Sequence, residues 1–84
     1  MNDPADLARR AELEAVIADV WSEVLGRPVA TTDDFFAIGG NSLHAVQIVS
    51  RTEEITGEPL SVRAVLEGRT VAAMAEAVAR AVGG

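Results

Sequence analysis

The chain has 84 residues, which is one domain at most, and its seven basic and thirteen acidic side chains leave a formal charge of −6. All seven basic residues are arginines, and this acid surplus excludes the phosphate-neutralising surface that nucleic-acid binding requires. With no cysteine there is neither a disulfide framework nor a thiolate metal site, and nothing calls for an oxidising compartment, so the expected location is the cytoplasm.

The N-terminus, Met1 to Asp6, is acidic where a secretory signal is basic and then apolar, and no apolar run reaches the length of a membrane span. Beyond it, Leu13, Val16, Ile17, Val20, Trp21 and Val24 recur at helical spacing, with Glu12, Asp19, Ser22 and Glu23 opposite. A first amphipathic helix is predicted over residues 6 to 25. Asp3 followed by Pro4, or Asp6, can cap its start, and Gly26 with Pro28 stops it.

From Gly26 to Asn41 no period is sustained, and a loop that long in so small a domain implies a task. Phe35 and Phe36, the only phenylalanines, follow Asp33 and Asp34 there. At least one ring is expected to pin the loop to the core. The two aspartates lack the ligand spacing of a calcium loop and are expected to cap or solvate a turn.

Ser42 to Thr56 reads as a second helix whose buried face is Ala45, Ile48, Val49, Thr52 and Ile55. Leu43 and Val46 fall on the other half with Gln47, Ser50, Glu53 and Glu54, so two branched apolar side chains near Ser42 are left toward the surface as a candidate docking patch. Glu53, Glu54 and Glu58 read as a solvated acidic end, or as a field that steers a basic partner. Between Pro59 and Thr70, Ser61 can cap a short helix carrying Val62, Val65 and Leu66 and ended by Gly68. Thr70 then caps a last helix in which Val71, Met74, Ala75, Val78 and Val82 share a face, with Glu76 and Arg80 turned away.

Hydrophobic residues make up 49% of the chain, so it should fold, but fifteen are alanines and only three residues are aromatic. A domain of this size buries only roughly 60% of its unfolded surface. So small a core leaves little room for an enclosed active site and favours a binding or carrying module over an enzyme.

The segment Gly39-Gly40-Asn41-Ser42-Leu43 brings a side-chain-free approach to a serine at the first turn of a helix. Either Ser42 or Asn41 caps that helix and the glycines permit the turn, or the hydroxyl is an attachment point and the positive helix end favours a phosphate placed on it. Ser42 is not read as a nucleophile of its own, because the second glycine of a nucleophile elbow is replaced by His44. That histidine lies roughly 200° around the helix from Ser42, out of reach as a base. It reads as a partly exposed helix residue or a partner contact, and no second histidine or cysteine exists to complete a metal site.

Asp33-Asp34-Phe35-Phe36-Ala37-Ile38-Gly39-Gly40-Asn41-Ser42-Leu43 resembles the D-D-F-F-x-x-G-G-x-S-L signature of peptidyl carrier proteins, the thiolation domains of nonribosomal peptide synthesis. The likeness extends over about residues 10 to 82: a Trp-containing first helix ending at Leu25-Gly26, a long first loop, the serine helix, a short third helix and a capped fourth. It implies an all-α, four-helix bundle of the acyl-carrier type, three longer helices plus a short third one, with the whole of residues 1 to 84 forming one carrier domain. It further implies that a phosphopantetheinyl transferase, with coenzyme A and Mg²⁺, joins 4′-phosphopantetheine to Ser42. The reactive thiol then belongs to the cofactor, so a chain without cysteine and without catalytic residues can hold an aminoacyl or peptidyl group as a thioester.

By the same resemblance, an adenylation enzyme and then downstream condensation or tailoring enzymes dock against Ile38, Leu43, Val46, Gln47, Ser50 and Arg51, and against Val62, Arg63 and Leu66. No metal of its own, no nucleic acid and no membrane partner is implied, and a monomer is expected. Ending just past the fourth helix, the sequence resembles the discrete members of the family, and a carrier domain excised from a larger synthetase would look the same. Asn41 stands where many relatives have Asp or His. Arg51 and Arg63 make the docking face less acidic than in fatty-acid carriers, which favours a peptidyl over an acyl cargo. An acyl carrier of a polyketide-type pathway is the alternative, and a helical interaction module that never takes the cofactor is a third reading.

Overall fold

The computed structural model describes residues 4–83, the side chains of residues 6, 82 and 83 excepted. The Asp3 cap and the Val82 contact expected from the sequence therefore lie outside the described part, and Asp6, the other expected cap, falls within the first helix rather than at its start. Four helices follow one another: α1 (Pro4–Leu25), α2 (Ser42–Thr56), α3 (Val62–Gly68) and α4 (Val71–Gly83). Among the described residues there is no strand. The predicted bounds hold, except that α1 begins two residues earlier, with Pro4 in its first turn where a missing N–H costs nothing.

Helix α1 packs on α2 and α4, and short α3 bridges α2 to α4. Between them lie Ile17, Val20 and Trp21 of α1, Ala45, Ile48 and Val49 of α2, Val65 of α3, and Val71, Met74, Ala75 and Val78 of α4. Phe35 of the α1–α2 loop completes this core. The Trp21 indole N–H is satisfied within it, donating to Met74 Sδ at 3.4 Å. Thr52, buried on the same face of α2, donates its hydroxyl to the Ile48 carbonyl at 2.7 Å.

Three expectations are corrected. Ile55, assigned to the buried face of α2, is 58% exposed. Its period is right, but the last turn of α2 runs past the core, and Leu60, brought back by the turn at Gly57, packs on the core there instead. Glu53 is more than part of a solvated acidic end: its carboxylate accepts from the Leu60 N–H at 2.6 Å and closes that returning turn. Gly68 ends α3, but the left-handed residue beyond the helix is Arg69, at φ 68°. Glycine is needed at 68 for space, since a Cβ there would come within 2.9 Å of the Ala73 Cβ.

The Ile55 correction has a direct test. Ile55→Glu is expected to change stability by no more than about 0.5 kcal/mol, whereas Ile48→Ala, in the buried stripe of the same helix, should cost about 2–5 kcal/mol. Urea unfolding followed by helical circular dichroism reads both.

Candidate functional site

The loop that leads to Ser42 is built by its own polar groups before it meets the helices. Asp33 accepts from the Ala30 N–H at 2.9 Å and Asp34 from the Ala37 N–H at 2.9 Å, each closing a turn as expected. Asp34 also takes the Arg69 guanidinium, Nε to Oδ1 at 2.8 Å and Nη2 to Oδ2 at 3.3 Å. The Ala37 amide first, and then Arg69, hold its carboxyl below the ordinary 3.8. Two backbone bonds tie the loop to the α3–α4 junction: the Phe35 N–H donates to the Arg69 carbonyl at 2.7 Å, and the Ala72 N–H to the Thr31 carbonyl at 3.1 Å.

The two phenylalanines divide their tasks. Phe35 is fully buried, edge-on to Trp21 with ring centroids 5.3 Å apart. Phe36 is 44% exposed and lies under the Arg69 guanidinium, 5.2 Å from the ring centroid. Phe35 explains the second glycine of the motif, because a Cβ on Gly40 would sit 2.5 Å from its Cε1. The first glycine, Gly39, takes φ +96°, a backbone that side chains disfavour. The Gly40 N–H closes the turn on the Phe35 carbonyl at 2.9 Å, so the chain reaches α2 in one fixed direction.

At the helix start the cap is Asn41. Its Oδ1 accepts from the His44 N–H at 3.1 Å, and the Asn41 N–H donates back to His44 Nδ1 at 3.2 Å. This is a reciprocal capping box with histidine in the place usually held by Glu or Gln. His44 is thus neither a base for Ser42 nor merely a surface residue, but half of the cap. Sequence reading missed this role, although the N-x-x-H spacing could have suggested it. Ser42, the first residue of α2, is exposed, and among the described residues no group is hydrogen-bonded to its hydroxyl.

The remaining residues singled out in the sequence do not form a uniform surface. Leu43 is 67% and Val46 50% exposed, and Gln47, Ser50 and Arg51 are exposed with them. Arg51 is engaged within the fold, 2.8 Å from Glu23 of α1, and Arg63 pairs with Glu67 on α3 at 3.0 Å. Ile38, Val62 and Leu66 are half-buried and lean on the core. An exposed hydroxyl at the start of a helix, beside a small apolar patch, is the arrangement of a protein that can carry a group.

Comparison with known proteins gives that class its family. Residues 15–78 match the family described as phosphopantetheine attachment site. Malpinin synthetase of Mortierella alpina is 46% identical over 72 residues, 84% of this chain but 1% of that protein. Surfactin synthase subunit 3 of Bacillus subtilis is 47% identical over 64 residues, 75% of this chain and 5% of that protein. The chain thus spans a small fraction of these curated relatives. The structure of BlmI, a type-II acyl-carrier protein of Streptomyces verticillus involved in bleomycin biosynthesis, superposes with a TM-score of 0.90 at 46% identity, covering 93% of this chain and 95% of that one. A peptidyl carrier protein solved in complex with the phosphopantetheine transferase Sfp and coenzyme A superposes with a TM-score of 0.77 at 29% identity, over 81% of this chain and 90% of that one.

The chain belongs to the phosphopantetheine-attachment family and is a non-catalytic carrier domain of the nonribosomal-peptide type. Its residues fit the phosphopantetheine group: the reciprocal bonds of Asn41 and His44 cap the helix without the exposed Ser42 hydroxyl.

Two outcomes test this geometry. Because Asn41 caps α2, Asn41→Ala is expected to cost about 0.5–2 kcal/mol, while Ser42→Ala stays within about 0.5 kcal/mol; equal losses in urea unfolding would assign part of the cap to Ser42. Because Asp34 is held below its unfolded value near 3.8, its contribution is complete above that value and is lost as pH falls through the lower, folded one. An acid titration of the Ala37 amide resonance should show this step, and Asp34→Asn should remove it.

Proposed function

We propose that Ser42 is the residue to which 4′-phosphopantetheine is joined, and that the whole chain acts as one carrier unit for aminoacyl or peptidyl groups. The observation that carries this reading is the division of labour at the start of α2, where Asn41 does the capping and Ser42, next along the chain, is exposed and has no hydrogen-bond partner among the described residues. In the attachment reaction the Ser42 oxygen forms a bond to the phosphorus on the pantetheine side of the coenzyme A pyrophosphate. The bond from that phosphorus to the bridging oxygen breaks, adenosine 3′,5′-bisphosphate leaves, and the serine proton passes to a base of the transferase. Once bound, the group supplies a terminal thiol on a flexible arm, on which cargo is held as a thioester.

This chain's own part is presentation. The positive end of α2 favours the new phosphodiester, and the glycine approach keeps side chains away from it. Leu43 and Val46, exposed beside the serine, with Gln47 and Ser50, form the surface that partners read first; Arg51 sits at its edge. Ile38, Val62, Arg63 and Leu66 extend it along the loop and α3. The patch is small and lightly charged, which suits successive short encounters with a transferase, an adenylation enzyme and downstream condensation or tailoring enzymes. The domain works as a monomer in the cytoplasm.

Incubation with a broad-specificity phosphopantetheinyl transferase, coenzyme A and Mg²⁺ should add one phosphopantetheine to the intact mass, and Ser42→Ala should add none. An unchanged mass for the folded wild-type chain would count against the reading. Leu43→Ala should leave the fold intact and slow loading by an adenylation enzyme.

A further inference from the structure

We propose that Arg69, in the α3–α4 junction and remote from the modification motif in sequence, is a positioning residue for the modification of Ser42. The inference rests on the assignment of Ser42 as the attachment point. Arg69 is the one non-glycine residue with positive φ among the described residues, at 68°. A backbone of that kind persists only where the surroundings over-determine it. Here they do: the Arg69 N–H donates to the Val65 carbonyl at 2.9 Å, and its own carbonyl accepts from Phe35 at 2.7 Å. Its guanidinium forks onto both oxygens of Asp34 and covers the ring of Phe36.

One residue therefore holds three consecutive members of the loop, Asp34 and Phe36 by its side chain and Phe35 by its backbone. The hold passes on through packing rather than through direct contact with the serine. Phe35 fixes Gly40 by the 2.9 Å backbone bond and by a ring that leaves no space for a Cβ. Gly40 precedes the cap Asn41, and Asn41 precedes Ser42. Without the fork, residues 34–36 keep only the Phe35 N–H bond to the junction and the buried Phe35 ring as anchors, and Asp34 and Phe36 lose theirs. The approach to Ser42 then samples directions the transferase cannot use, and apparent affinity falls with the competent fraction.

The test is steady-state phosphopantetheinylation of Arg69→Gly, Arg69→Lys, Asp34→Asn and the double variant Arg69→Gly with Asp34→Asn. Glycine keeps the left-handed backbone and both backbone bonds and removes only the side chain. KM for the carrier should rise roughly three- to tenfold with kcat little changed, Arg69→Lys should recover part of the loss, and the double variant should raise KM by less than the product of the two single effects. Amide exchange at Gly40 and Asn41 should quicken while the melting temperature falls by less than about 8 °C.

Wild-type KM and kcat in Arg69→Gly would overturn the proposal. So would a harmless Asp34→Asn beside a damaging Arg69→Gly, which would mark Arg69 as a direct contact of the transferase. If Arg69→Gly fails to fold, a KM rise in Asp34→Asn with a smaller one in Arg69→Lys decides the matter. A wild-type chain that takes no label at all would sink the Ser42 assignment instead.

Discussion

Burial of the Phe35 ring is the constraint on which the functional end of this domain depends. The chain between α1 and α2 has no regular structure to hold it, and a core with two aromatic residues has little spare area to offer. Placing one aromatic ring edge-on to Trp21 anchors the middle of the loop to the bundle. The rest follows by exclusion: the ring occupies the space a Cβ of residue 40 would fill, so residue 40 is glycine, and the backbone passes close over the core to the start of α2. The motif thus reads as one mechanical unit. Aspartates close its turns, one phenylalanine anchors it, glycines let it pass, asparagine caps the helix, and the serine is delivered at the end with its hydroxyl free.

That arrangement separates two tasks that a single serine often combines. A serine at a helix start commonly accepts from the free N–H groups, and a hydroxyl so engaged is oriented toward its own backbone. Here the asparagine and histidine pair satisfies the helix end from both directions. The domain can therefore cap its helix and leave the Ser42 hydroxyl, the proposed attachment point, exposed without one interfering with the other. Leu43 and Val46 are likewise not needed by the core and stand exposed beside the serine, where the proposed docking patch lies. A small core and a small patch suit a protein that many enzymes must grasp and release.

The helices were legible because their apolar spacing and their caps agree: α2 was readable from Ser42 to Thr56, and Ser61 and Thr70 cap where polar side chains precede an apolar run. The pinning phenylalanine and the turn-forming aspartates could also be read. What escaped depends on where the bundle ends rather than on local pattern. Ile55 keeps the period of α2 but lies where α2 has outrun the core, and Glu53 turns inward because the chain returns past it at Leu60. Asn41 and Ser42 are equally good caps by type, and only the geometry chooses between them. Arg69 left no local signal at all, since its role comes from residues some thirty-five positions earlier that the fold brings beside it.

The measurement that bears most directly on this account is fragmentation mass spectrometry of the modified chain, which locates the added group among Ser22, Ser42, Ser50 and Ser61. The account requires the group to sit on Ser42 alone, with its neighbour Asn41 unaltered. Label on any other serine, or spread over several, would contradict the claim that the loop and cap exist to present this one hydroxyl.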